Sequence, residues 1–124
     1  MQPMRIVVVD NDAPVRAALA NLLKAVGYEV DCHASAESFL GSGGLSSTDC
    51  LILDVRMPGM SGVELQQHLD RLGAAMPIVF ITGQAASSLP IDPRSTRRVE
   101  ILEKPFSDDT LIGVIERVLR APPR

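Results

Sequence analysis

No stretch of this chain approaches the roughly 18 consecutive apolar residues that a membrane-spanning helix needs, so a membrane protein of that kind is excluded. Charge of one sign is also missing. Twelve Lys and Arg face 15 Asp and Glu, for a net charge of −3, and the basic residues are scattered apart from Arg94, Arg97 and Arg98. Direct nucleic-acid binding, which needs a basic face, is therefore not expected, and the three arginines read as a solvated surface. Cysteine is scarce. Cys32 and Cys50 fall in predicted strands without a C-x-x-C or His-rich context, so they read as small buried hydrophobes in a reducing compartment. There is no internal repeat or low-complexity tract. The opening Met1-Gln2-Pro3-Met4-Arg5 leads straight into a strand, and the expectation is a soluble, cytoplasmic protein. Its 124 residues suit one domain, 1–124, able to bury about two thirds of its unfolded surface without disulfides or structural metal.

What is present is an alternation of short apolar runs with helix-period segments, which implies parallel strands joined by crossovers rather than hairpins. Strand one spans about Arg5 to Asp10. In the helix that follows, Val15, Leu19, Leu22, Leu23 and Val26 form one apolar stripe, with Pro14 in the first turn and Gly27 at the end. Strand two, near Tyr28 to His33, is a plausible edge, and Ser35 with Glu37 starts a short helix through Phe39 and Leu40 that Gly41 to Gly44 breaks. Strand three ends at Asp54. Ser61-Gly62-Val63-Glu64 is a capping-box pattern for a helix whose apolar face carries Leu65, Leu69 and Leu72. Pro77 opens strand four, Val99 to Leu102 make strand five, and Ser107 caps a last helix with Leu111, Ile115, Val118 and Leu119 on its stripe. Between strands four and five, residues 84–98 carry Pro90 and Pro93 and few large apolar side chains, so an ordinary crossover helix is not expected there. The terminal Ala121-Pro122-Pro123-Arg124 reads as a tail or a linker stump.

The chemistry gathers at the ends of the strands. Asp54 closes the run Leu51-Ile52-Leu53 and opens a turn rich in Gly and Pro, Val7-Val8-Val9 ends in Asp10-Asn11-Asp12, Ile78 to Ile81 ends in Thr82, and strand five runs into Glu103-Lys104-Pro105. Acids, a hydroxyl and an ammonium thus converge where a doubly wound sheet keeps its chemistry. Each has a plainer reading: Asp54 as a cap of the turn, Asp10 and Asp12 as the start of helix one, Thr82 as an ordinary strand residue, Lys104 as a solvated strand end. His33 and His68 read as surface or edge residues away from that strand edge.

Taken in order, Asp10, Asp54 with Met57-Pro58-Gly59 and Gly62, Thr82-Gly83 and Lys104-Pro105-Phe106 resemble the receiver domain of two-component response regulators, most of all its FixJ-like branch. The resemblance covers nearly the whole chain. It implies a flavodoxin-like α/β fold, a doubly wound five-stranded parallel sheet of order 2-1-3-4-5 with helices on both faces, the fourth short or irregular here. It implies that Asp54 accepts a phosphoryl group from a phosphohistidine of a sensor histidine kinase, and that Mg²⁺ is held by Asp10, Asn11, Asp54 and the Arg56 backbone carbonyl, with Asp12 assisting through water. Lys104 would pair with the acidic cluster and precede a cis peptide. Thr82 would donate its hydroxyl to a phosphoryl oxygen and switch an output surface read by an effector domain, by a downstream protein or through a phosphorylation-dependent dimer. Beyond self-phosphorylation from a donor and slow self-dephosphorylation, no enzyme activity is implied.

Two positions depart from the pattern. Asn11 stands where the family usually has a second acid, so a hard cation should be held less tightly. Ile101 stands where an aromatic commonly follows the Thr82 hydroxyl. Residues 84–98 would also remodel the output surface, with Arg94, Arg97 and Arg98 on or beside it for an acidic partner. Two rival classes remain. One is a pseudo-receiver that binds without phosphate. The other is a haloacid-dehalogenase-like phosphatase with Asp10 as nucleophile and Asp12 as general acid, supported by Thr82 and Lys104, which leaves Asp54 unexplained.

Overall fold

The computed structural model describes residues 3–83, 89 and 97–120. Five strands, β1 (Arg5–Val9), β2 (Glu29–His33), β3 (Cys50–Asp54), β4 (Ile78–Thr82) and β5 (Val99–Glu103), form one parallel sheet in the order β2-β1-β3-β4-β5. Four α-helices appear among the described residues: α1 (Ala13–Val26), α2 (Ala36–Gly41), α3 (Gly62–Leu72) and α4 (Asp108–Arg120). The parallel pairing is what the alternating pattern implies, and the flavodoxin-like order is what the family resemblance implies.

Because successive strand residues point to opposite faces, each central strand feeds two cores. Val7, Val9, Leu51, Leu53, Ile78 and Phe80 pack on one side with Phe39 of α2 and Leu65 and Leu69 of α3. Ile6, Val8, Ile52, Val79 and Ile81 pack on the other with Leu19 and Leu23 of α1 and Leu111 and Ile115 of α4. All five residues of β4 are buried, whereas none of β2 is, as befits an edge strand.

The caps fall where expected. Asp12 caps α1 with Pro14 in its first turn, Gly27 ends that helix with φ +114°, Ser35 caps α2, and Ser61 with Glu64 makes the full capping box of α3. The Ser107 hydroxyl accepts from the Thr110 amide at the start of α4.

Several expectations fail at the periphery. β1 stops at Val9, one residue short of Asp10, and α2 runs on to Gly41. Val26 and Leu72, placed on buried stripes by their spacing, are 46% and 56% exposed, because each lies in the last turn of its helix, at the rim of the core. Cys50 is buried but Cys32 is exposed, since it lies on the edge strand. Arg97 is not solvated: its side chain is 3% exposed and ion-paired with Asp70. The expectation for residues 84–98, and with it the place of Arg94, falls mostly on 84–88 and 90–96, outside the described residues.

Candidate functional site

Parallel pairing in register brings the carboxyl ends of the strands level. Val9 faces both His33 and Leu53, Asp54 faces Ile81, and Thr82 faces Glu103. Asp10, Asp54, Thr82 and Lys104 therefore share one edge of the sheet, as expected from the strand ends.

Asp10 is buried. Its amide donates to the His33 carbonyl at 3.1 Å, its Oδ1 accepts from the Asp12 amide at 2.9 Å, and its carbonyl accepts from Arg16 Nη1 at 2.6 Å. Asp12 turns to its own helix, where Oδ1 accepts from the Val15 amide at 3.3 Å. The plainer reading of Asp12 as the start of helix one thus holds, while Asn11 is exposed beside it.

Asp54 is half-buried, with Oδ1 accepting from the Arg56 amide at 3.3 Å. Burial pushes its carboxyl above the usual range and the charge of Asp10 pushes it further, against the opposing pull of the Arg56 amide, the Lys104 ammonium and the Val55 amide. Two acids are thus held close enough to repel, with one ammonium on hand. Lys104 is exposed, its amide donates to the Thr82 carbonyl at 2.8 Å, and the Lys104–Pro105 peptide is cis. Thr82 is buried at the end of β4.

The loop after Asp54 is tightly held. The Val55 amide donates to the Ile81 carbonyl and the Gly62 amide to the Val55 carbonyl. A Cβ on Gly62 would lie 2.4 Å from the Asp54 carbonyl oxygen, a clash with backbone, so only glycine fits there.

The donor set suits a hard divalent cation. Among the described residues no group of three or more His, Cys, Asp or Glu could hold a metal, which disfavours an all-protein cage. The two neighbouring carboxylates of Asp10 and Asp54 are the kind of donor Mg²⁺ takes, since it uses one or two carboxylates and keeps several waters.

Three features of this edge escaped the sequence reading. His33 sits at it after all: its carbonyl receives the Asp10 amide, while its ring Nδ1 lies 2.8 Å from Ser38 Oγ and its ring meets Phe39 edge-on. Arg16 reaches back to Asp10, six residues earlier, and Glu37 reaches the Met60 amide across 23 residues. Only Arg16 left a sequence signal, its position in the second turn of the helix that follows Asp10.

Comparison with known proteins agrees with this geometry. A family model described as the response regulator receiver domain matches residues 6–116. Response regulator protein TodT of Pseudomonas putida is 38% identical over 119 residues, which cover 96% of this chain and 52% of TodT; the chain spans about half the length of the curated relatives it matches. The crystal structure of FixJ-N superimposes with a TM-score of 0.82 at 34% identity, covering 100% of this chain and 99% of that one. Response regulator protein TrrA of Thermotoga maritima, solved in complex with Mg²⁺-BeF, superimposes with a TM-score of 0.78 at 29% identity, covering 94% and 99%.

Proposed function

Because this chain belongs to the receiver-domain family of two-component response regulators, we propose that it relays a signal by accepting a phosphoryl group on Asp54 from a phosphohistidine of a sensor histidine kinase. The observation that carries this reading is the pairing of half-buried Asp54 with buried Asp10 at the carboxyl edge of the sheet, with the ammonium of Lys104 acting on it. Ionised Asp54 attacks phosphorus as the phosphorus–nitrogen bond of the donor breaks, and the imidazole leaves with the electron pair. Asp10, Asp54, the amide oxygen of Asn11 and the Arg56 carbonyl would hold Mg²⁺, with Asp12 confined to a contact through water. When bound, the cation supplies neutralisation of charge between these acids and the phosphoryl oxygens.

Lys104 offers a positive charge to a phosphoryl oxygen and Thr82 a hydroxyl. Since the Lys104 amide donates a hydrogen bond to the Thr82 carbonyl, movement at the end of β4 is passed to the turn after β5, which gives the switch a hydrogen-bonded route outward. The reader of that change is an effector domain or a downstream protein. No helix among the described residues is long and apolar enough to cross a membrane.

A pseudo-receiver stays in contention on one observation: Asp12 is engaged as a helix cap, so the charge absent at Asn11 is not directly replaced. The phosphatase reading falls with the family assignment, and the same cap holds Asp12 away from the role of general acid. Mass spectrometry after incubation with acetyl phosphate and Mg²⁺ tests the proposal. Wild type is expected to gain one acid-labile phosphoryl group and Asp54→Asn none; equal uptake by the two would refute it.

A further inference from the structure

The pattern Ser35-Ala36-Glu37 explains the start of α2, but the Glu37 carboxylate does more than favour a helix terminus. Its Oε2 accepts a hydrogen bond from the Met60 amide at 3.1 Å, in the loop that carries Asp54 and Arg56. The loop is shaped to receive it. Gly59 has φ +76°, and a Cβ there would lie 2.7 Å from Glu37 Oε2, so the chain is bare where the carboxylate approaches.

Both ends of this contact are anchored. Phe39, two residues after Glu37, is fully buried in the same core as Met57 and Val63, and Met60 packs against that core. The loop is thus fastened at its far end by Gly62 against the Asp54 carbonyl and the Val55 carbonyl, and at its crest by Glu37. Arg56, whose amide donates to Asp54 Oδ1, lies in the same loop between Val55 and Met60.

We propose that Glu37 is a positioning residue for the phosphoacceptor loop, acting through the Met60 amide to set the Arg56 peptide beside Asp54 and thereby the affinity for Mg²⁺. The inference rests on the proposed function above. Partners of this outer kind hold ligating groups in place, and their loss commonly weakens metal binding by about tenfold or more.

The test compares wild type with Glu37→Ala and Glu37→Gln. Amide hydrogen exchange is read at Met60 and Arg56 in metal-free protein, and Mg²⁺ affinity by calorimetric titration. Glu37→Ala should exchange faster at both amides and bind Mg²⁺ about tenfold more weakly, with little change in the thermal midpoint because Glu37 is exposed. Glu37→Gln keeps a carbonyl acceptor of the same reach and should recover most of both. Wild-type affinity in Glu37→Ala, or failure of Glu37→Gln to recover it, would overturn the inference alone. A wild type indifferent to Mg²⁺ would overturn the proposed function with it.

Discussion

The two edges of the sheet treat charge in opposite ways. At the amino edge, Arg5 opens β1 and bonds Glu29 and Asp31 of β2, while its amide donates to Asp49 Oδ2 at 2.8 Å. Arg97, just before β5, pairs with Asp70 of α3 and donates to the carbonyls of Ala74 and Met76. Acid there meets base. At the carboxyl edge two acids, Asp10 and Asp54, lie close enough that one raises the other's pKa, and the ammonium of exposed Lys104 pulls the other way. Satisfied charge ties elements together. Opposed charge costs stability, and it lies where we propose that the cation and the phosphoryl group bind.

That contrast breaks most visibly at Arg97. Arg97→Met keeps a long side chain in the same space but removes the donors to Ala74, Met76 and Asp70, so it should destabilise the fold by about 2–3 kcal/mol. Urea unfolding measures this. A loss under about 0.5 kcal/mol, the range of an ordinary surface change, would mean that the amino edge is not held by its charges. Phosphate uptake by the folded variant should stay near wild type, since the carboxyl edge is untouched.

A smaller effect is expected at the other edge from adding a charge. Asn11→Asp places one more unit of negative charge beside Asp10, and with an effective dielectric near 20 it should tighten Mg²⁺ by roughly 1 kcal/mol or more. Titration of both proteins with Mg²⁺ checks it. If the substituted protein binds no tighter, Asp12 already serves the cation through water and its role as cap of α1 is not its only one.

The strands and the level of their functional edge were legible because both depend on local pattern: apolar runs of strand length set the strands, and each run ended in the residue that matters; the order of the strands came only from the family resemblance. The caps at Asp12, Ser35, Ser61 and Ser107 were legible for the same reason. Hidden from the sequence were contacts between segments far apart. Arg97 looked solvated beside Arg94 and Arg98, yet its partners lie in another loop and helix. Glu37 looked like an ordinary acid of a first turn, since nothing in its neighbourhood announces Met60. Val26 and Leu72 show a limit of another kind: periodicity tells which side of a helix faces inward, not where the core ends. His33 was set aside because the chemistry was sought at acids, a hydroxyl and an ammonium, whereas its pairing with Val9 puts it at the carboxyl end of β2, one residue before the level of Asp10.

The smallest effect separates the edges by pH. In the unfolded chain Asp54 titrates near 3.8, and in the fold its pKa is raised, first by burial and then by Asp10. Between those two values the native state holds the proton that the unfolded state releases, so stability falls as pH rises through the window and stays lower above it. Asp54→Asn removes that penalty while keeping an oxygen for the Arg56 amide. The variant should therefore be more stable than wild type at neutral pH by a few tenths to about 1 kcal/mol, a modest figure because the group is only half-buried and water screens it. The advantage should disappear as pH falls toward 3.8, and should shrink when Mg²⁺ is added, because a cation between the acids relieves the same repulsion. Thermal unfolding of both proteins across that range, with and without Mg²⁺, decides the matter. An equal midpoint at neutral pH without Mg²⁺ would mean that Lys104 already balances the two acids, and that the carboxyl edge is no less satisfied than the amino edge.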